Sequence, residues 1–178
     1  ERAGQLEQEL RRTFVKEDGT ILQVALATQD HGGHYSDEVN DFSKRMGVHF
    51  LIPIKGSNSA NRPIATMPRK KNANGVYLTE VGTDTAKSLL YQRYNIAEPG
   101  PGYVHWPQSE EFDRTYFDQV TAEKRVRRYK NGRPIYVWDS GGKRNEATDV
   151  SVYSLAAARI AQQNFGLRLI SPDPATDE

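Results

Sequence analysis

The segment Val150-Ser151-Val152-Tyr153-Ser154-Leu155-Ala156-Ala157-Ala158-Arg159-Ile160-Ala161 constrains the fold more than any other in this chain. Val152, Tyr153, Ala156, Ala157 and Ile160 recur at helical spacing and define one apolar face that must be buried against another element. The spacing predicts a helix from about Asn145 to Asn164, entered through Arg144-Asn145-Glu146-Ala147-Thr148-Asp149. Asp149 therefore places a carboxylate one turn before the apolar face, at the edge of the core. Far upstream, the apolar run Ile21 to Ala27 has the character of a buried strand and ends in Thr28-Gln29-Asp30-His31-Gly32-Gly33-His34. Two acids, one delivered by a strand end and one by a helix start, suggest a metal site.

The chain has 178 residues, enough for one domain with a substantial core and too few for two ordinary ones. Lys and Arg number 24 against 23 Asp and Glu, so the average charge identifies no partner. Its distribution is more informative: basic residues cluster at Arg69-Lys70-Lys71, over 124 to 130 and at Lys143-Arg144, while acids dominate both ends. The absence of cysteine excludes disulfides and thiolate metal sites and is compatible with a cytoplasmic protein. No secretory signal and no run of about 20 apolar residues is present. An initial glutamate suggests a piece of a longer chain.

Along the chain, residues 2 to 12 suit a short helix, and 1–13 reads as a linker or helix from a preceding domain. Phe14 to Lys16 and Thr20 to Thr28 are expected as strands joined at Glu17-Asp18-Gly19, because Asp-Gly supplies the positive φ of a tight turn. Ser36 to Met46 carries Val39, Phe42 and Met46 at helical spacing, with Ser36 as the expected cap and Gly47 as the stop. Phe50 to Ile54 is an expected strand whose Pro53 favours an edge position or a bulge. A long loop from Gly56 to Asn74 precedes a strand at Val76 to Val81 and a helix through Tyr94, which puts Asp84 at a strand-to-helix junction. Tyr103 to Pro107 suits a short strand, Thr115 to Glu123 a short helix, and Val126 to Tyr129 with Pro134 to Trp138 a hairpin across Asn131-Gly132. The tail, 171–178, is polar and proline-rich and is expected to be disordered. No internal repeat is present, so the chain reads as one mixed α/β domain over 14–170.

Asp30, Asp84 and Asp149 lie far apart in sequence at element ends, where only a fold could gather them. Hard divalent cations take oxygen ligands, and a pair of them can clamp a phosphodiester for in-line attack by water. Asp84 and Asp149 are also explicable as helix-capping acids, whereas neither the strand nor the Gly32-Gly33 turn needs a charge at Asp30. His31 and His34 flank two glycines and lack the further ligands of a zinc site. The basic clusters, Arg69, Lys70 and Lys71 in the loop and Lys124, Arg125, Arg127, Arg128 and Lys130 in the hairpin, suit either phosphate contacts or a solvated face. The loops that bind ATP or dinucleotides and the zinc-protease helix motif are absent.

A long ordered series of motifs sharpens this picture. Ile52-Pro53-Ile54-Lys55-Gly56, the stretch Met67 to Lys87, Val104-His105-Trp106-Pro107, Val120-Thr121-Ala122-Glu123, Trp138-Asp139-Ser140 and Arg144 to Asp149 resemble the carboxy-terminal nuclease domain of the large terminase subunit of lambda-like tailed phages. The resemblance covers about residues 14 to 170. It departs at the residues flanking Asp30 and at Thr148, where an aliphatic residue is usual.

The resemblance implies an RNase H-like fold, a mixed β-sheet flanked by helices, whose acidic cluster binds two divalent cations, Mg or Mn, and cuts double-stranded DNA. Asp30, Asp84 and Asp149 match the three acidic positions of that pattern. Glu146, three residues before Asp149 on the same helical face, is a candidate assisting ligand, and Lys55 and Lys87 are candidates to orient the phosphate. It further implies an ATPase domain in cis, a small terminase subunit and a portal as packaging partners, no membrane, and a place in the host cytoplasm. The competing classes are a non-catalytic module that docks DNA or a packaging partner, and a resolvase- or integrase-like nuclease on the same fold.

Overall fold

The computed structural model describes residues 2–57 and 59–168; the tail expected to be disordered lies outside them. The elements run α1 (Arg2–Leu10), β1 (Thr13–Val15), β2 (Ile21–Gln23), β3 (Ala27–Asp30), α2 (Ser36–Met46), β4 (Leu51–Ser57), β5 (Thr79–Gly82), α3 (Thr83–Tyr94), α4 (Arg114–Val120), β6 (Lys124–Lys130), β7 (Arg133–Asp139) and α5 (Glu146–Phe165). The core is a parallel sheet in the order β3-β4-β5, with β1-β2 and β6-β7 as separate antiparallel hairpins. Helices cover both faces of the sheet, as a parallel sheet requires.

Strand alternation divides the core. Ile52 and Ile54 join Val81, Ala86, Leu90, Val152, Ala156 and Ile160 beneath α3 and α5. Leu51 joins Ala27, Phe42 and Met46 beneath α2. The apolar face of α5 foreseen from its spacing is thus buried against the sheet, with Val152, Ala156 and Ile160 fully enclosed. Gly166 in the left-handed conformation ends that helix, and its N–H bonds the Ala161 carbonyl.

Four local expectations need correction. Pro53 lies in the central strand, not at an edge. Ala27 and His31 donate to the carbonyls of Phe50 and Ile54, so Pro53 turns its nitrogen toward the β5 side, where pairing begins only at Ile54. Proline's missing donor therefore breaks no rung of the ladder. The expected strand Thr20 to Thr28 is two strands. Gly19 at φ 81 and the Thr20 N–H bonded to Asp18 close a tight turn that folds Ile21–Gln23 back onto β1, leaving Ile21 and Leu22 exposed. Only Ala27–Asp30 enters the core sheet.

Ser36 is the first helical residue of α2 instead of its cap, and its hydroxyl donates to the His31 and Gly33 carbonyls. Residues Tyr103 to Pro107 form no strand; Trp106 packs edge-on against Phe117 and Tyr116 and tilted against Tyr94. Ring packing, not strand pairing, fixes that loop.

The β6-β7 hairpin turns on Asn131 (φ 51) and Gly132 (φ 74), the two positive-φ residues a tight hairpin with right-handed twist demands. Its base is anchored where Trp138 stacks on Tyr91 of α3 at 4.7 Å, while the Tyr91 hydroxyl donates to the Val120 carbonyl.

Gly82 joins β5 to α3 and donates its N–H to the Pro63 carbonyl at 3.1 Å. A Cβ there would collide with the backbone carbonyls of Arg62 and Pro63, which cannot rotate away as a side chain could. Gly82→Ala is expected to cost about 2 kcal/mol by overpacking, lowering the melting temperature by roughly 4–8 °C. Thermal unfolding followed by circular dichroism checks this, and an unshifted midpoint would show that the 62–64 segment yields freely.

Candidate active site

Asp30 is the last residue of β3. Alternation puts it on the α5 side of the sheet with Thr28, whose hydroxyl donates to the Tyr153 carbonyl at 3.0 Å. The Asp30 carboxylate accepts the Gly32 N–H at 2.9 Å. Asp84 occupies the first turn of α3 directly after β5, and the Arg125 guanidinium lies 3.6 Å from it. Asp149 occupies the first turn of α5, where the positive end of the helix dipole favours a carboxylate. It accepts from the Asn145 amide at 3.4 Å and stands 3.2 Å from the Lys87 ammonium.

Lys87, one turn after Asp84 on α3, is the hub of the arrangement. Its ammonium donates to Glu123 Oε1 at 2.9 Å and lies 2.7 Å from Oε2, off the line of a good hydrogen bond. Both side chains are nearly enclosed, at 11% and 6% exposure. Glu123 was not foreseen as a site residue. The available signal was an acid between the end of a short helix and the first residue of the basic strand. Asp84, Lys87, Glu123 and Tyr136 line one cleft.

Tyr153 connects the remaining acids. Burial pushes its hydroxyl up to about 12, and the negative charges of Asp30 and Asp149 add to the shift. One phenol therefore feels both carboxylates. Thr148, the departure from the aliphatic pattern, is fully buried and donates to the Gln119 carbonyl at 2.9 Å, which ties the start of α5 to the end of α4.

The carboxylates are hard oxygen donors of the kind that magnesium or manganese takes. Among the described residues, however, no three His, Asp or Glu side chains converge on one point as a ligand set. Asp84 and Asp149 instead lean on Arg125 and Lys87. Glu146 stands apart: its exposed carboxylate is bound by the Arg144 guanidinium at 3.2 Å, and it borders a depression with Glu110, Glu111 and Asp113. Its own backbone N–H and Arg144 hold that carboxyl below the usual range. Glu123, not Glu146, is the second carboxylate on Lys87.

The basic residues also separate. Lys55 shares the face of β4 that carries Leu51, not the face of Ile52 and Ile54, and lines a separate depression with Leu78, Thr79 and Glu80. Lys71 sits over the Tyr77 ring and lines a depression with Lys44, Gly47, His49 and Phe50, at the strand starts, whereas Asp30 and Asp84 stand at the strand ends. The hairpin stands at the acid end, as Arg125 shows. Arg128 is paired with Asp139 at 2.6 Å. His31 Nε2 lies 3.1 Å from Oδ1 of the buried Asn40 amide.

The sequence matches the family described as terminase large subunit gpA, endonuclease domain, over residues 2–169. It is 41% identical over 169 residues to the terminase large subunit of Escherichia phage lambda, covering 92% of this chain and 26% of that protein. It is 37% identical over 167 residues to the terminase large subunit of Enterobacteria phage P21, covering 90% of this chain and 26% of that protein. The chain thus spans about a quarter of the length of these relatives. No solved structure matches it.

Anions raise a phenol's pKa, so removing one lowers it. Asp30→Asn and Asp149→Asn are each expected to bring Tyr153 down from about 12 toward the ordinary tyrosine value. NMR titration of ring-labelled tyrosine reads this directly; a Tyr153 titration unmoved by either change would mean that the two acids do not share its surroundings.

Proposed function

The chain belongs to the terminase large subunit gpA endonuclease-domain family, and from that premise we propose that it cuts concatemeric double-stranded DNA during viral genome packaging. The observation that carries this reading is the pairing of Glu123 and Asp149 with Lys87, with Asp84 lining the same cleft as Lys87 and Glu123, the charges of Asp30 and Asp149 both felt by Tyr153, and a hairpin rich in arginine beside them. Asp30, Asp84, Glu123 and Asp149 outnumber the two cations, Lys87 and Arg125, that pair with members of this set. A polyanion approaches such a floor only when cations neutralise it.

In this reading the domain is RNase H-like, and Asp30, Asp84 and Asp149 hold two divalent cations, magnesium or manganese. Those ions would supply Lewis acidity at the scissile phosphate. The chain's own residues do the positioning. Lys87 fixes the Asp149 carboxylate from one side and is itself held by Glu123, and Gly32 holds Asp30. Of the two lysines weighed for orienting the phosphate, Lys87 is the one in the cleft.

The hairpin grips the DNA backbone next to the cut. The 69–71 loop is a second backbone contact: β4 spans about 23 Å, and one turn of duplex, about 34 Å, reaches both ends of the sheet. We assign translocation to an ATPase domain in cis beyond this segment, with a small terminase subunit and a portal as packaging partners and the host cytoplasm as the setting. Among the described residues no helix is long and apolar enough to cross a membrane.

The lack of a converged ligand set among the described residues favours a second reading, a module that docks DNA without cutting it. Manganese-dependent nicking of plasmid DNA separates the two. Asp30→Ala, shown to be folded, is expected to lose cleavage by about 100-fold or more, as the loss of one electrostatic stabiliser typically does. Full cleavage by that variant would overturn the assignment of the acids.

A further inference from the structure

The two faces of the β6-β7 hairpin are not equivalent. The register opposes Arg125 to Trp138, Arg127 to Tyr136 and Tyr129 to Pro134, so these six residues share one face. At its base that face packs on α3 through Trp138, and farther out it is open, with Tyr129 at 66% and Tyr136 at 58% exposure. Arg125 lies over the Tyr136 ring at 5.6 Å and Arg127 over the Tyr129 ring at 5.7 Å. Each guanidinium is thereby held in place, that of Arg127 with donors available to an anion and that of Arg125 facing Asp84. On the other face Arg128 is already matched by Asp139.

We propose that the Arg125, Arg127, Tyr129 and Tyr136 face takes the phosphate backbone of duplex DNA, and that Arg125 exchanges Asp84 for a phosphate when the duplex binds. The second half rests on the reading of Asp84 as a cation-holding acid. Arginines two apart on a strand are about 6.8 Å apart, two nucleotide steps along the duplex axis, and a two-stranded ribbon fits the major groove. The Arg125–Asp84 contact is long, and Arg125 is about half exposed, so it is a weak ion pair that a phosphate can displace. Its release leaves Asp84 with uncompensated charge beside the cleft. DNA binding and divalent-cation binding then strengthen each other by the same factor, as linkage requires.

The test measures affinity for a labelled 20-base-pair duplex and, by calorimetry with calcium alone as the probe, cation affinity with and without that duplex. Circular dichroism verifies the fold of each variant. Arg127→Ala is expected to weaken duplex binding about 5- to 10-fold and to reduce the slope of log affinity against log salt by about 1. Arg128→Ala is expected to weaken it by no more than about 2-fold. Equal losses from the two variants would overturn the choice of face, and a polyglutamate that competes as well as duplex at equal charge would overturn the choice of partner.

Duplex is expected to tighten calcium binding by the wild-type protein. Arg125→Gln is expected to bind calcium more tightly than wild type without DNA and to show no further gain with it. A retained gain in Arg125→Gln would sink the exchange. Asp84→Asn serves as the separate check on the acid site: calcium affinity unchanged from wild type would reject that reading itself, while the Arg127 and Arg128 comparison still decides the face.

Discussion

The Lys87 ammonium, enclosed between Glu123 and Asp149, is the contact on which the arrangement of this domain depends. It joins α3, the start of α5 and the short link between α4 and β6, three elements that share no sheet. Removing one partner of an enclosed ion pair usually costs about 3–5 kcal/mol, because the surviving charge has no water to turn to. That figure applies to the Lys87–Glu123 half. Asp149 is 40% exposed, so solvent screens its half and its worth lies more in direction than in energy. An apolar replacement would hold the elements together as well. It would not hold a carboxylate at a chosen place, which is a reason for keeping charge there.

What the sequence made legible follows from local physics. The α2 span from Ser36 to Met46 was readable because three apolar residues at helical spacing end at a glycine. The β6-β7 hairpin was readable because Asn-Gly demands a particular turn. Asp84 was placed at its strand-to-helix junction by the same kind of signal. Pro53 was misplaced because its cost depends on where the neighbouring strand begins to pair, a non-local fact. The apolar run after Gly19 could not reveal that its first half would be claimed by β1 and left exposed. Glu123 escaped notice because its meaning lies entirely in Lys87, distant in sequence. Glu146 looked like a companion of Asp149 by helical spacing, yet the nearer Arg144 captured it.

The placement of the acids follows from the sheet. In an open parallel sheet the strands point their carboxyl ends at one edge, and the helices that follow begin there, so functional groups collect at that edge. Asp30 ends β3, Asp84 opens α3 directly after β5, and Asp149 opens α5. Two of the three acids therefore sit at helix starts, where the dipole favours a negative charge. A dipole alone would explain one acid as a cap. It does not explain Asp30, which ends a strand, nor Glu123, which lies outside any helix and holds Lys87.

Charge then orders the surface. Acids line the floor and arginines the adjoining ribbon, and Arg125 stands at the boundary with one side over Tyr136 and its guanidinium toward Asp84. In the proposed reading, a phosphate drawn by the ribbon meets this boundary before it meets the floor. Of the ion pairs made by Asp84, Glu123 and Asp149, the longest, Arg125 with Asp84, lies at the more exposed rim, whereas the shortest, Lys87 with Glu123, is nearly enclosed. With the reverse order, exchanging the rim ion pair would disturb the core. With this order, the proposed exchange at Arg125 leaves the hold of Lys87 on the Asp149 carboxylate undisturbed.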